Sequence, residues 1–405
     1  MSEAPSTASS TGPGATVAGV QPRPGLMVAN LGEPIRLTDV NLHGFAAESV
    51  RGGDTVKVWT RLAITSDDRR FHRIAESLNG TLSHLAQQAG RGINLAGANT
   101  VLLVIRPDDT ADLWMDTAAV ELTVSVKRSV RAGTAVFDRD IADVTAMRFP
   151  AVEIGKRDRV LCLFCEAWRF GLCFDFNPGG DLPLRDFETR LGALFRSLAY
   201  RHLYDTIADA SVFGRLVDAG WFPFVEIIGS EFRTLAHAAE AGFDLGDAEA
   251  DILAKFDAER LERMFERWVA NPHFGPKERI LRSAVNAYKA GEPVAVLKIV
   301  LTEIEGILAS AHRAATGKGA KLQALLKFTV QAAERKAGAR DTLLLPAAFA
   351  RYLEAYTFAR FDPSAGAGLA VSRHAVGHGG AVAEAYTQTR ALQALLTLDQ
   401  IAFCT

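Results

Sequence analysis

The sequence predicts an α+β fold in which a largely antiparallel sheet precedes an all-helical region. Apolar runs with strand-like alternation follow one another up to about residue 181 without regular helices between them, which favours antiparallel pairing. After Pro178-Gly179-Gly180 the apolar period becomes helical and remains so to the end. The chain of 405 residues exceeds what one hydrophobic core usually holds, so more than one domain is expected.

Residues 1–26 are small, polar and rich in proline and glycine. Such a composition cannot bury enough apolar surface to order itself, so we expect a disordered arm. Residues 27–183 are predicted to form an α+β domain of unknown role, with one helix over Arg70–Ala89. The predicted strands are Thr55–Trp59, Thr100–Ile105, Val120–Val126, Arg159–Phe164 and Trp168–Phe176.

Helical periodicity fills the remainder, which we divide into a helical connecting region, residues 184–279, and a C-terminal helical domain, residues 280–405. Pro293 and Pro346 suit first helical positions, and Gly291 suits a helix end. The first helix has one apolar face, formed by Phe187, Leu191, Leu194, Phe195 and Leu198. Further helices are predicted over Glu231–Ala241, Ala248–Val269, Lys277–Lys289, Pro293–Ala314, Lys321–Ala337, Pro346–Phe361 and Ala381–Phe403.

The formal charge of −2 conceals an uneven distribution. Residues 281–405 contain 14 Lys and Arg against 9 Asp and Glu, whereas residues 1–280 have an acidic excess. A basic C-terminal part would suit an acidic partner such as RNA, although an imbalance of this size also arises by chance. One basic run could contact a nucleic-acid backbone or form solvated helix faces: Arg313, Lys318, Lys321, Lys327, Arg335, Lys336 and Arg340.

Cysteine content and hydropathy restrict the cellular compartment in which the protein is expected. Four cysteines do not make a disulfide scaffold, and the first 26 residues lack the charged and apolar regions of a signal peptide. No apolar run approaches the length of a membrane span, so no membrane partner is predicted. We therefore expect a cytoplasmic protein. The spacing of Cys162 and Cys165 is that of a redox motif, but an apolar strand-like run surrounds both, so we expect buried structural cysteines.

The most unusual segment of the chain is Ser372–Gly379, where one arginine and two histidines crowd together. Arg373 offers a permanent, planar cation that can bind phosphate through paired hydrogen bonds. His374 and His378 can accept and donate a proton near neutral pH. These residue types together indicate chemistry on a phosphodiester.

The spacing within this cluster restricts how it could work. Arg373 and His378 are five residues apart, which on a regular helix rotates them by roughly 140° from each other. They could not both reach one small target from a straight helix. Either the glycines at positions 377, 379 and 380 break the helix locally, or a second copy of the chain completes the site across a dimer axis.

Two other interpretations of the cluster remain open. His374 and His378 share a helix face, as pairs of zinc ligands do, but the accompanying Glu and a third ligand are missing, so no metal is predicted. Alternatively, Arg373 and His378 satisfy buried carbonyls at a helix junction. The sequence has no phosphate-binding glycine loop followed by Lys and Ser or Thr, and no Gly-x-Ser-x-Gly elbow, so no cofactor is predicted.

The ordered combination of motifs resembles the HEPN superfamily over residues 185–405. Arg373–His378 matches its Arg-x4-His motif, in which a polar residue commonly follows the arginine. Further segments are similar to elements of bacterial HEPN-like proteins: Gly220–Pro223, Ile280–Gly291, Glu303–Leu308 and Gly379–Phe403. The resemblance implies that residues 280–405 form a HEPN-like helical domain that dimerises and, in active members, cleaves RNA without a metal ion.

The resemblance also implies roles for individual residues. Arg373 would hold the scissile phosphate, and His378 would act as the general acid and base that assists attack by the ribose hydroxyl. His374 occupies the variable polar position and would orient Arg373 or contact RNA. Glu305 would pair with Arg373. Gly377 departs from the apolar residue that is more common at this position, which would loosen the helix before His378.

The sequence therefore predicts a metal-independent endoribonuclease of the HEPN type that forms a homodimer. By analogy with the family, it would act in phage defence or toxin-like growth arrest, with the N-terminal domain sensing a signal or gating the site. The alternative is a non-catalytic HEPN-like module that binds RNA or a nucleotide, or serves only to dimerise.

Overall fold

The computed structural model describes residues 29–177, 179–361 and 372–405. It has the α+β architecture that the sequence predicts, with an antiparallel sheet in the N-terminal part and helices in the C-terminal part. The predicted disordered arm, residues 1–26, lies outside the described residues. Within those ranges, no helix has the length and apolar character that crossing a membrane requires.

Six strands form one sheet in which every neighbouring pair is antiparallel. The described strands are β1 (Ile35–Leu37), β2 (Phe45–Ala46), β3 (Val58–Trp59), β4 (Arg61–Thr65), β5 (Thr100–Ile105), β6 (Ala111–Met115), β7 (Glu121–Val126), β8 (Ile141–Arg148), β9 (Arg159–Glu166) and β10 (Arg169–Asp175). The order in the large sheet is β1-β6-β5-β9-β10-β4. Two smaller ladders pair β2 with β3 and β7 with β8.

The central strands β5 and β9 are buried on both faces, which explains their nearly continuous apolar sequences. On one face, helix α1 (Arg69–Gln88) covers the sheet with apolar side chains at helical spacing: Phe71, Ile74, Leu78 and Leu82. On the other face lies α2 (Leu184–Ala199), whose Leu191 and Leu194 belong to one buried cluster with Cys162 and Cys173. Burial of each large apolar side chain stabilises the fold by roughly 1.5–3 kcal/mol.

Helix α2 connects the sheet to the helical part by packing on β8. A Cβ atom on Gly192 would lie 2.7 Å from the Cα of Ala146, so only glycine allows this close approach. Arg196, which is 1 % exposed, donates hydrogen bonds to the carbonyls of Val144 and Asp341. A single buried guanidinium thus ties together β8, α2 and the segment before α11.

The helical part is built around its last helix. The helices after α2 are α3 (Arg201–Ala208), α4 (Ala210–Asp218), α5 (Ser230–Ala241), α6 (Gly246–Lys255), α7 (Ala258–Ala270), α8 (Glu278–Lys289), α9 (Pro293–Thr316), α10 (Leu322–Ala337), α11 (Pro346–Tyr352), α12 (Arg373–Gly377) and α13 (Gln388–Cys404). Every residue of α13 from Ala391 to Cys404 is buried. One hydrophobic cluster contains residues from both 184–279 and 280–405, so these two segments share a core.

The buried polar groups of α13 have partners, as a buried helix requires. Gln400, for example, accepts the amide of Val225 at 2.8 Å and donates to the carbonyl of Leu344 at 3.0 Å. Asp399 is held by Arg267 and by the indole nitrogen of Trp268.

Several predicted elements are confirmed, among them the strand Thr100–Ile105 and the helices near Glu231–Ala241 and Lys321–Ala337. The prediction of one helix over Ala248–Val269 is wrong. The chain breaks at Phe256–Asp257, where the Asp257 carboxylate caps α7 by accepting the amide of Arg260 at 2.8 Å. The two short helices α3 and α4 were not predicted at all.

Two further helix boundaries differ from the prediction. The last helix begins at Gln388 rather than residue 381, because the Thr387 hydroxyl caps it and a short 3₁₀ turn covers Ala383–Ala385. Helix α11 ends at Tyr352 and continues as a π-helical turn over Leu353–Thr357. The cluster of Arg and His is therefore separated from α13.

Candidate functional site

The Arg/His cluster lies on the five-residue helix α12 and the residue that follows it. Ser372 begins this helix, because its buried hydroxyl accepts the amide of Ala375 at 3.2 Å. Ala375 and Val376 are buried, and α12 packs against α9. The apolar side of α12 thus fixes it to the helical core, while its polar residues stay nearer to solvent.

Arg373 pairs with Glu305, the acidic residue that the resemblance assigned to it. Nη2 of Arg373 lies 2.6 Å from Oε2 of Glu305 on α9, and the two side chains are 33 % and 34 % exposed. The Nε of Arg373 is buried and lacks a hydrogen-bond partner among the described residues. The ion pair holds the guanidinium against α9, and its partial exposure leaves it accessible to a ligand.

The two histidines differ in exposure. His378 is exposed and His374 is half-buried. In the described part of the chain, no residue forms a hydrogen bond to either imidazole ring. The ring nitrogens of both histidines are therefore available for hydrogen bonds to a molecule bound at this surface.

Helical rotation persists from Arg373 to His378. The amide of His378 donates to the carbonyl of His374 at 3.0 Å, and the helix reverses only afterwards, where Gly379 adopts a φ of 69°. The five-residue step therefore still turns His378 by about 140° from Arg373. The glycine break follows the histidine, so it does not direct both side chains to one point within a single chain.

The turn after His378 is fixed by the ring of Phe361. A Cβ atom on Gly380 would lie 1.9 Å from Cζ of that ring, which no side chain could tolerate without movement. The amide of Gly380 also donates to the carbonyl of Ala375 at 2.8 Å. At Gly377, in contrast, an added Cβ would meet no neighbouring atom within 4 Å, so close packing does not require glycine there.

Within the residues that the structure describes, the two histidines meet no third metal ligand. His374 and His378 would need at least one further protein ligand to hold zinc in a stable way. Among the described residues, no group of three or more His, Cys, Asp or Glu side chains could hold a metal ion. The described groups at this surface are the imidazoles of His374 and His378, the guanidinium of Arg373 and the carboxylate of Glu305.

Comparisons with known proteins do not extend this description. No family model, no curated protein and no solved structure matches the chain. The resemblance to the HEPN superfamily therefore rests on the sequence motifs, and the roles of Arg373, His374, His378 and Glu305 stay predictions.

The basic residues between 312 and 340 lie at the end of α9, on α10 and in the loops beside them. Each of the seven basic residues is exposed when all of its atoms are counted. The ammonium group of Lys336 reaches inward to the carbonyl of Ala402 at 3.4 Å, and burial lowers the pKa of this lysine. Helix α9 carries both Arg313, one of these basic residues, and Glu305, the partner of Arg373, so it links the basic surface to the Arg/His cluster.

Sequence reasoning missed two residues that shape this site. Ser372 before Arg373 is a typical helix N-cap, and this signal could have indicated that a short helix starts there. Phe361 gave no signal, because its contact with Gly380 is a tertiary one between distant positions.

Proposed function

We propose that the chain is a metal-independent endoribonuclease of the HEPN type whose site includes Arg373 and His378. An imidazole would take the proton of a ribose 2′-hydroxyl, and that oxygen would attack the adjacent phosphorus. The 5′-oxygen would leave with a proton from an imidazolium, giving a 2′,3′-cyclic phosphate and a 5′-hydroxyl end. The guanidinium would stabilise the negative charge that develops on the phosphoryl oxygens.

The observation that carries this proposal is the state of three side chains, those of Arg373, His374 and His378. A guanidinium is held in place by Glu305 at 2.6 Å, while the nearby imidazole rings have no partner in the described chain. A fixed cation lowers the entropic cost of binding a phosphate, and unbonded imidazoles are the usual acid and base at neutral pH. If His374 had a purely structural role, its half-buried ring would be expected to form a hydrogen bond.

Because Arg373 and His378 point in different directions from α12, we propose that a second copy of the chain completes the site. Because His378 faces away from the side on which Arg373 meets α9, one chain does not present both groups to the same phosphate. In a twofold dimer, His378 of one copy would act with Arg373 of the other, giving two equivalent sites.

The exposed basic side chains on α9 and α10 supply a surface for the rest of an RNA strand. Lysine and arginine near phosphates release counterions, which gives affinity that does not depend on base sequence. Lys318 and Lys327 are exposed and have no ion pair in the described chain, so they are available for such contacts.

A cleavage assay tests the proposal. Labelled single-stranded RNA is incubated with the full chain in chelator, and the products are examined for cyclic phosphate ends. Arg373→Ala and His378→Ala should each lower the rate by at least about 100-fold, the range for loss of an acid, a base or a charge-stabilising group. Arg279→Ala and His84→Ala are matched controls, since both residues are exposed and lie outside the cluster.

Mixing the two inactive variants tests the shared site. In a heterodimer of Arg373→Ala and His378→Ala chains, one composite site keeps both groups, so about a quarter of the wild-type rate should return after random exchange. If each site lay within one chain, every site would lack a group and no activity would return. Absence of cleavage by the wild-type chain on any RNA would exclude the nuclease.

A second candidate is a non-catalytic HEPN-like module that binds RNA. It is favoured by the Arg373–Glu305 pair, because a guanidinium that a carboxylate partly neutralises can still donate hydrogen bonds to RNA but stabilises the charge that develops during cleavage less well. This candidate predicts RNA binding by the wild type without cleavage. Glu305→Gln should then tighten binding by freeing the guanidinium, as measured by fluorescence anisotropy at fixed salt.

A further inference from the structure

A polar cleft of about 670 Å³ opens at one end of the large sheet, far from the Arg/His cluster in sequence. It lies where β5 ends, β9 begins and the chain leaves β10 toward α2. Its walls come from the loop after β1, the β5–β6 turn, the start of β9 and the linker before α2. The volume is in the range of about 300–1,000 Å³ that is typical of small-molecule sites.

Arg159 fixes two of these walls. It is 6 % exposed, donates to the carbonyl of Leu42 at 3.0 Å, and pairs with the carboxylate of Asp109. Asp109 has a φ of 62°, a left-handed conformation that costs energy for a residue other than glycine. Its carbonyl also accepts the amide of Val40 at 2.8 Å. The buried guanidinium of Arg159, paired with the half-exposed carboxylate of Asp109, thus joins the loop after β1 to the β5–β6 turn at the edge of the cleft.

Other polar side chains that line the cleft have no such partners. Asn41, His43, Arg157 and Asp181 are exposed, and none forms a hydrogen bond or ion pair through its side chain in the described part of the chain. The Arg159–Asp109 pair cancels its own charge, so the free charges are those of Arg157 and Asp181. The cleft therefore offers one unpaired guanidinium, one unpaired carboxylate, an imidazole and an amide.

We propose that this cleft binds a small phosphate ester that also carries vicinal hydroxyl groups, such as a ribose phosphate. A guanidinium binds phosphate oxygens through two parallel hydrogen bonds, and Arg157 is the free guanidinium of the cleft. A carboxylate repels phosphate but accepts hydrogen bonds from sugar hydroxyls, as acidic residues do for ribose in nucleotide sites. Asp181 supplies that group, and the amide of Asn41 can serve either part.

The lining also argues against other small ligands. None of the lining residues is Phe, Tyr or Trp, so the cleft lacks a large aromatic platform for a planar base. A free amino acid would satisfy the opposite charges of Arg157 and Asp181 but would leave most of the volume to water. The sugar phosphate part is therefore the portion that the site recognises, whether it is free or belongs to a nucleotide.

Isothermal titration of the full chain tests this site with four probes: ribose 5-phosphate, adenosine 5′-monophosphate, inorganic phosphate and glutamate. Ribose 5-phosphate should bind with a dissociation constant between about 10 μM and 1 mM. The nucleotide should bind with similar affinity if only the sugar phosphate is recognised. Inorganic phosphate should bind at least about tenfold more weakly than ribose 5-phosphate, because it has no sugar hydroxyls to donate hydrogen bonds to Asp181.

Two variants locate the binding. Arg157→Gln should weaken all phosphate probes by about tenfold or more, whereas Asp181→Asn should weaken ribose 5-phosphate without weakening inorganic phosphate. Arg36→Gln and Asp54→Asn are exposed matched controls outside the cleft and should change nothing. Three results would overturn the proposal. The first is that Arg36→Gln weakens phosphate binding as much as Arg157→Gln does, and the second is that glutamate binds more tightly than ribose 5-phosphate. The third is that ribose 5-phosphate does not bind at 10 mM, about ten times the upper limit of the expected dissociation constant.

Discussion

Lys127 places an ammonium group inside the junction between the β7–β8 hairpin and the helices. The residue is 8 % exposed, and burial lowers its pKa from 10.5 to about 8, although the nearby carboxylates of Glu226 and Glu231 act in the opposite direction. The guanidinium groups of Arg260 and Arg267 add to the lowering. At neutral pH this lysine is therefore a charge that the fold holds at a cost.

The pH dependence of stability follows from that pKa. Between pH 8 and pH 10.5 the unfolded chain keeps a proton on Lys127 that the folded chain has lost, so the free energy of unfolding should rise with pH across this window. Across the whole window, the titration of Lys127 should raise the free energy of unfolding by about 3 kcal/mol. Replacing Lys127 by Met should stabilise the protein at pH 7 by about 1–3 kcal/mol, because the apolar chain avoids the cost of burying a charge.

Urea denaturation of wild type and Lys127→Met at several pH values checks this prediction. The difference between the two proteins isolates Lys127 from the tyrosines and cysteines that also titrate in alkaline solution, and it should shrink as the pH rises toward 10.5. Lys57→Met, at an exposed position, is the control and should show little change. A difference that stays constant with pH would show that Lys127 is not the titrating group.

At the level of single residues, the candidate site was partly predictable. The pairing of Arg373 with Glu305 followed from motif positions, and the 140° offset of His378 followed from helix geometry. The cleft residues His43 and Arg157 could not be found in the same way. They come from separate loops, and nothing in the local sequence shows that these loops meet.

Among the elements, α12 carries the candidate site on little more than one turn. Its ends are set by Ser372 at the start and by the left-handed Gly379 after His378. An isolated helix of five residues would not be stable, so contacts with α9 and with Phe361 must hold it. The position of His378 therefore depends on the two glycines that follow it, Gly379 with its left-handed conformation and Gly380 with its contact to Phe361.

Substitution of Gly377 and Gly380 should give opposite results. Gly380→Ala should lower the free energy of unfolding by about 1–3 kcal/mol, because the added methyl group meets the ring of Phe361. Gly377→Ala meets open space within a helical turn and should be neutral or stabilising by up to about 1 kcal/mol. Thermal unfolding of the two variants checks this, and similar losses in both would contradict the packing described for Phe361.

Local signals at helix ends decided which elements the sequence could predict. The helix α9 was predicted almost to its ends, since Pro293 suits the first turn; the structure ends it at Gly317, which has a φ of 72°. The break at Asp257 was missed although aspartate is a common N-cap, because the apolar period continues through it. The 3₁₀ turn before α13 was missed because residues 381–387 fit a helical pattern as well.

On the scale of the whole molecule, Arg267 joins parts of the chain that are distant in sequence. Its Nη2 lies 2.7 Å from Oδ1 of Asp399 on the buried helix α13 and 3.1 Å from Oε2 of Glu226. Its Nη1 donates to the carbonyl of Lys127 beside β7. The sequence could not reveal this network, because no local pattern relates α7, α13 and a hairpin of the N-terminal part.

Burial determines how much this network contributes. Asp399 is 1 % exposed, and desolvation raises its pKa even though Arg267 and Trp268 stabilise the charged form. A buried ion pair can add little net stability, yet removing one partner leaves the other charge without compensation. The cost of breaking the network should therefore be much larger than that of breaking an exposed ion pair on the same helix.

Arg267→Met should lower the free energy of unfolding by about 3–5 kcal/mol, since Asp399 would be left charged in the core. Arg263→Met is the matched control: Arg263 lies one turn earlier on α7, and its pair with the exposed Glu259 should contribute less than about 1 kcal/mol. Adding Asp399→Leu to Arg267→Met should restore part of the loss. Equal costs for the two arginines in urea denaturation would show that the junction between the hairpin and α13 does not depend on this ion pair.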